Sequence, residues 1–381
     1  MYKYLWSGTA AIGLFMSSVS AANASLGNDY AALKNYLQQT YGLSYNLNYS
    51  VMAQHGAPNG RYNPVQSYLA PSLSWTTFDN NYGTGTLNAS YTSVFYGNHN
   101  ADEVGGRIGT ATPINDADDE EQEFSTLYYT YQLPHRYNWL TIGLGQYTIY
   151  NFDGTDYNNN PQGNFINYAL AQNGSATYPD AGLGAYVQLT PGNWLLVAGA
   201  QDATNISAVS VRFNRLHDGH FTTFGQIGYN PHIRGLGAGQ YSVLIYNQPY
   251  VSAQPQSTTG WSLNLQQNIG PKWAVFGRIN GVSGNMATIK NSYTAGVVYN
   301  NPFERNPLDQ IGASYAYNKI DETAVGATLS DSGEHVAEAY WTWGISKWAA
   351  LTPDIQFYIK PALNYNSDYA TVVSLRFNVY F

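Results

Sequence analysis

The stretch Thr371 to Phe381 constrains this chain more than any other. Val373, Leu375, Phe377, Val379 and Phe381 alternate with Ser374, Arg376, Asn378 and Tyr380. A period of two places the first set on one face of a β-strand and the second on the other. Such a strand needs an apolar medium on one side and a polar one on the other. A soluble sandwich meets that need with a core and bulk water. A membrane barrel meets it with lipid outside and a wet lumen inside, and there a strand of this kind closes the wall. The rest of the chain distinguishes the two.

The first 24 residues have the order of a secretory leader. Lys3 supplies the positive start, Ala10 to Met16 a short apolar run, and Ala22-Asn23-Ala24 a small-residue cleavage site. No later run of 18 apolar residues is present, so no membrane-spanning helix is expected. The expected organisation is a leader at 1–24, a helical segment at 25–42 and a barrel at 43–381. No Pro/Ser-rich linker divides that last span. One large barrel accounts for its length without a second core.

Composition narrows the class further. Cysteine is absent, which excludes disulfides, thiol catalysis and thiolate metal sites. Only 10% of residues are charged, so polarity comes from amides, hydroxyls and the phenols of 35 tyrosines. The net charge is −8 and no basic patch stands out, so nucleic acid is not an expected partner.

Tyr30 to Tyr41 predicts a short helix, with Leu33 and Leu37 one turn apart and Gly42 ending it. From Leu43 onward only strand signals are apparent. They make sixteen segments, beginning with Leu43–Val51 and ending with Ala370–Phe381. Connections alternate between short turns, such as Pro191-Gly192-Asn193, and long loops, such as 97–124 and 148–181. Even strand number, segment length and this loop asymmetry predict an all-β fold: a 16-stranded antiparallel transmembrane β-barrel with a short N-terminal helix, in the cell outer membrane. Outer-membrane lipid and lipopolysaccharide are then its surroundings, and a homotrimer is the oligomer that general porins often form.

Two stretches carry a family resemblance. Leu351-Thr352-Pro353-Asp354-Ile355-Gln356-Phe357-Tyr358-Ile359-Lys360-Pro361, preceded by Glu338-Ala339-Tyr340-Trp341, resembles the carbohydrate-selective porins of the OprB type. So does Tyr178-Pro179-Asp180-Ala181-Gly182-Leu183-Gly184-Ala185-Tyr186 with the Gly199-Ala200-Gln201-Asp202 that follows. The resemblance implies a pore passing glucose-like mono- and small oligosaccharides by diffusion, with no cofactor. At Gly143-Leu144-Gly145-Gln146 the chain departs from that family's habit of a charge after the glycine.

The parity of the strands predicts the lumen. If Val373, Leu375 and Phe377 face lipid, Arg376 faces inward, and by the same count so do Arg278, Glu338, Asp354, Gln356 and Tyr358. These are the expected channel-contacting residues, with a wall network that merely holds the barrel open as their alternative role. Loop 148–181 is expected to fold inward and narrow the pore, which adds Asp153, Asp156 and Tyr157. Few fixed charges among many amides suit a neutral polyol. The run Asp116 to Glu123 reads as a solvated outer loop. Asp118, Asp119, Glu120 and Glu121 are its weak candidates for a divalent cation. No H-E-x-x-H or G-x-S-x-G motif occurs, so an enzyme is not expected. The competing functions are a general diffusion pore, an exopolysaccharide export barrel and a structural surface barrel.

Overall fold

The computed structural model of the protein describes residues 23–58 and 62–381. The expected leader lies almost wholly on residues 1–22, outside the described residues. Helix α1 spans Asn23–Tyr41, longer at its start than the sequence predicts, and Gly42 follows in a left-handed conformation with φ of 67°.

Sixteen strands form the wall. They are β1 Leu43–Ala57, β2 Val65–Asn80, β3 Gly83–Tyr96, β4 Glu121–Gln132, β5 Leu140–Tyr147, β6 Gly182–Leu189, β7 Trp194–Asp202 and β8 Phe221–Tyr229. They continue with β9 Gly237–Gln248, β10 Thr258–Ile269, β11 Trp273–Val282, β12 Ile289–Asn300, β13 Gln310–Ile320, β14 Gly333–Gly344, β15 Ala349–Ile359 and β16 Tyr369–Tyr380. A two-residue ladder, His232–Ile233 on Gly237–Ala238, extends the hairpin before β9. Every strand pairs antiparallel with its sequence neighbour, and β1 pairs with β16 from Asn48↔Tyr380 to Ala57↔Thr371. The sheet is therefore a closed barrel without free edges. Phe381 completes the seam by exchanging two backbone hydrogen bonds with Leu47, each 2.9 Å. Tyr30 of α1 lies against that seam, with its ring 5.7 Å from Trp348 and 6.3 Å from Phe381.

The predicted parity holds along the wall. In β16, Val373 and Leu375 are 46% and 48% exposed on the outside, whereas Ser374, Arg376 and Asn378 are buried. The outer surface is apolar, with tryptophans at the short-turn end: Trp75, Trp139, Trp194, Trp273 and Trp343. An apolar wall edged by aromatic rings suits the boundary between hydrocarbon and headgroups.

On the inner face, large rings lie flat across neighbouring glycines. A Cβ on Gly143 would stand 2.2 Å from Tyr186, one on Gly199 2.7 Å from Phe224, and one on Gly260 2.2 Å from Tyr246. Gly296 under Phe276 and Gly312 under Tyr340 repeat the device. Each glycine leaves room for a ring on the next strand and keeps the wall thin.

Two long loops enter the barrel. L2 (97–120) contains an unpredicted helix, α2 Ala101–Ile108, capped by the Asn100 side chain on Glu103 N–H and ended by Gly109 at φ 75°. L3 (148–181) follows β5. Together they bury Val104, Ile108, Ile114, Phe165 and Leu170 against the inner faces of Phe276, Val336, Tyr340, Tyr358 and Val372. This core lies within the barrel on the β11–β16 side, and a second one, of Tyr147, Ile149, Tyr178, Tyr186, Phe224 and Tyr246, lies on the β5–β9 side.

Replacing Gly143 by Val should cost about 1–3 kcal/mol, because Tyr186 is wedged by Tyr147 at 5.0 Å and Phe152 at 5.2 Å and cannot yield. Gly225→Val, on an open outer position, should change stability by roughly 0.5 kcal/mol or less. Guanidinium unfolding in vesicles measures both, and equal losses would count against the ring-on-glycine account.

Candidate functional site

The site is the passage that L3 leaves open. L3 is irregular backbone, and inside a barrel its N–H and C=O groups have no ladder to join. Inward-facing charged side chains supply the partners. Arg376 of β16 donates to the carbonyls of Pro161 at 2.6 Å and Asn164 at 2.7 Å. Glu338 of β14 accepts from the backbone N–H groups of Ile166 and Asn167, the latter at 2.9 Å. Arg278 of β11 donates to Asn158 O at 2.5 Å and to Asn264 Oδ1 at 2.8 Å. Asp153 accepts from Asn173 at 2.7 Å, Tyr178 at 2.9 Å, Asn264 at 3.1 Å and the hydroxyl of Ser262. Arg278, Arg376 and Glu338 are each at most 2% exposed.

The amides act likewise. Asn167 Nδ2 donates to Tyr358 at 2.7 Å and to Gln356 at 3.2 Å, and Gln356 donates to Ile114 O at 2.9 Å. Asn378 donates to Gln162 O at 3.0 Å. L2 is held by Glu334, which accepts from Thr110 Oγ1 at 2.8 Å and from the N–H groups of Ala111, Thr112 and Ala362 at 2.9 Å each. Sequence reasoning passed over Glu334, although it shares the face of Val336 and Glu338 at a spacing of two.

The expected site residues therefore divide. Arg278, Arg376, Glu338, Gln356 and Tyr358 point inward but lie beneath L3, bonded to it, whereas Asp153 belongs to L3 itself and is buried against Ser262 and Asn264 of the wall. Asp354 is buried on the same wall, in register with Tyr340 and Ser374, and its carboxylate makes no hydrogen bond among the described residues. Asp156 and Tyr157 stand at the edge of L3. Gln266 donates to Asp156 Oδ2 at 3.3 Å, and Asn300 donates to Tyr157 Oη at 2.7 Å. Asp156 is exposed, and Tyr157 is half-buried.

The adjoining arc of wall, β1 to β4, is covered by L2 towards the long-loop end, where α2 packs on Gly56 and Ala117 O accepts from Gln66 and Tyr96, and is left uncovered by the loops in its short-turn half. Its inward positions Asn46 and Asn48 are exposed, and Ser72, Ser74, Asn88, Ser90 and Thr130 are half-buried. Amides and hydroxyls line this arc. Ser50 Oγ donates to Gln162 Oε1 at 2.9 Å, which marks where L3 meets the arc.

The acidic run departs from the expectation of a wholly solvated loop. Asp119 and Glu120 are exposed, but Asp116 and Asp118 turn inward with L2, and register puts Glu121 and Glu123 on the inner face of β4. Glu121 lies within electrostatic reach of Glu123, Asp116, Asp180 and Asp118. Burial is the main cause that pushes the carboxyls of Asp116, Asp118 and Asp180 up to about 6. Among the described residues no three His, Cys, Asp or Glu side chains gather as a metal site, and Asp118, Asp119, Glu120 and Glu121 are not brought together as one.

The geometry has counterparts among known proteins. Residues 84–381 match the family model described as carbohydrate-selective porin, OprB family. The chain is 36% identical over 367 residues to porin AaxA of Chlamydia abortus, an alignment covering 96% of this chain and 79% of that one. To porin AaxA of Chlamydia trachomatis serovar D it is 39% identical over 315 residues, covering 82% and 68%. Among solved structures, the high-pH form of Pseudomonas putida OprB superposes with a TM-score of 0.74 at 16% identity, over 93% of this chain and 97% of that one. An anion-selective porin from Comamonas acidovorans gives 0.55 at 11% identity, over 89% and 99%. These relatives are channels rather than enzymes. The chain belongs to the OprB family of carbohydrate-selective porins.

Proposed function

We propose that this protein is an outer-membrane pore through which small neutral carbohydrates, glucose-like mono- and oligosaccharides, diffuse passively. The amides and hydroxyls on the short-turn half of β1–β4, among them Asn46, Asn48, Ser74 and Asn88, carry the reading. Such a surface exchanges hydrogen bonds with sugar hydroxyls and holds no fixed charge that a neutral solute would have to desolvate. The buried Arg278, Arg376, Glu338 and Asp153 act as positioning residues for the constriction, and Asp156 and Tyr157 are the members of that set that meet solute. A leader at 1–24 would deliver the chain across the inner membrane, with 25–42 and 43–381 as the helical segment and the barrel. The long-loop end faces outward, among lipopolysaccharide. Relatives are porins, and a homotrimer is the assembly to look for.

Liposome swelling tests this reading. Glucose and a disaccharide should enter several-fold faster than an organic anion of similar size. Equal rates for all solutes would make the protein a general diffusion pore, and no swelling above empty liposomes would favour a structural barrel.

The inward carboxylates support a second property of the same pore. Negative charge in a vestibule with low-dielectric walls concentrates cations. For Asp116, Asp118 and Asp180 the folded-state value is raised. Their contribution to loop packing is therefore present below the ordinary aspartate range, about pH 4, and is lost as pH rises through about 6. Reversal potentials in a KCl gradient should show cation preference at pH 7.5 that declines on acidification, with a midpoint near 6. A preference independent of pH between 4 and 7.5 would exclude these carboxylates as its source.

A further inference from the structure

The strands of the wall are short between β4 and β7 at the long-loop end. β5 stops at Tyr147 and β6 starts at Gly182, whereas β4 begins at Glu121. Leu127 pairs with Gln146, so Glu121 to Ser125 run on past the end of β5 with no strand beside them there. The notch is two strands wide and five residues high, roughly 10 Å by 17 Å. Backbone groups along such an edge need partners from elsewhere.

The loop between β7 and β8, L4 (203–220), supplies them. Ala208 O accepts from the N–H of Phe124, and Ile206 O from that of Asp180, each at 2.9 Å. Asn205 Nδ2 donates to Gln146 Oε1 at 3.3 Å, and Gln146 Nε2 in turn donates to Phe124 O. Residues 205–208 therefore cross from β4 to the start of β6, where strands would otherwise stand. Gln146 and Leu183 are in register and alternate with the inward rings Tyr147 and Tyr186, so both point outward, yet they are 0% and 7% exposed. Leu144 and Val187, outward on the same two strands, are 57% and 43% exposed. The difference is the cover that L4 provides.

This cover is held by weaker means than L2 and L3, which are bonded to buried arginines and glutamates. Among the described residues no charged side chain bonds to residues 205–208. Asn205 Oδ1 is buried without a partner, and Ala208 has φ of 44°, a left-handed conformation in which its Cβ is crowded. Three hydrogen bonds to the wall, set against one strained residue and one orphaned amide oxygen, leave the closed and lifted positions near enough in free energy to interchange. On the lumen side of the notch stand Glu123 and Asp180, whose carboxyls are within hydrogen-bonding reach of each other. We propose that residues 205–208 are a strap that lifts from the notch, and that lifting opens a side entrance from the outer surface into the acidic vestibule. The inference requires a water-filled barrel but not that its solute be a sugar.

The chain contains no cysteine, so an introduced thiol reports on its own position. Leu183→Cys in the full-length protein, reconstituted in vesicles, should react slowly with a membrane-impermeant maleimide while heat-modifiable gel mobility shows the barrel folded. Ala208→Gly relieves the crowded Cβ and should slow that reaction several-fold. Asn205→Ala removes the bond to Gln146 and should speed it several-fold. A loop that is merely flexible gives the opposite sign for glycine. Asn205→Cys with Gln146→Cys, bridged by a short bis-methanethiosulfonate, fastens the strap. Single-channel records in planar bilayers should then lose the higher of two conductance levels and keep the lower, and reduction should restore it. No labelling of folded Leu183→Cys, a rate that glycine raises or leaves unchanged, or a conductance that bridging does not alter would each overturn the proposal. The glycine comparison decides by itself if the bridged pair does not fold.

Discussion

Irregular backbone inside a barrel lumen has to be hydrogen-bonded by something other than the sheet, and the rest of this structure depends on how that is done. Here the partners are charged side chains projecting from the wall. Arg376 and Arg278 donate to loop carbonyls, and Glu338 and Glu334 accept from loop N–H groups. A net hydrogen bond to a charged group contributes about 1.5–3 kcal/mol, whereas the same charge buried without partners costs several. Side chain and loop are therefore mutually required. Removing either leaves the other as an uncompensated polar group in a site that excludes water.

This division of labour explains the asymmetry of the lumen. Rings laid flat on glycines keep the inner wall shallow, and L2 and L3 pack on it through an apolar core over β11–β16. Nothing comparable covers the short-turn half of β1–β4, so the passage runs along that part of the wall. Its lining of Asn, Ser and Thr follows from the absence of any loop to be held there. Charge is concentrated where loop backbone needs it and where the acidic vestibule opens, and it is sparse where solute would slide.

Much of the fold was legible in the residues. Period-two alternation identified the strands and their parity, as Val373 and Leu375 against Ser374 and Arg376 illustrate. Turn residues and loop lengths identified the closure. The site was less legible, because alternation reports which face a side chain occupies and not what covers it. Arg278 and Glu338 were expected at the lumen, but only tertiary packing puts L3 on top of them. Helix α2 had its signals, an Asn100 cap, acidic Asp102 and Glu103 in the first turn and Gly109 at the end, yet two turns inside a long polar loop do not stand out from turn chemistry. The inward turn of Asp116 and Asp118 depends on where L2 packs, which no local pattern encodes. The ring-on-glycine pairs, such as Tyr186 on Gly143, become visible only once the register of neighbouring strands is known.

The central claim is that buried wall charges hold L3 as the constriction. Single-channel conductance of Glu338→Leu with Arg376→Leu in planar bilayers tests it most directly. The account gives a larger and noisier conductance than that of the unaltered protein, with the barrel itself intact by heat-modifiable mobility. A conductance identical to that of the unaltered protein in amplitude and noise would contradict it, because the passage would then be narrowed by something other than the loop these residues hold.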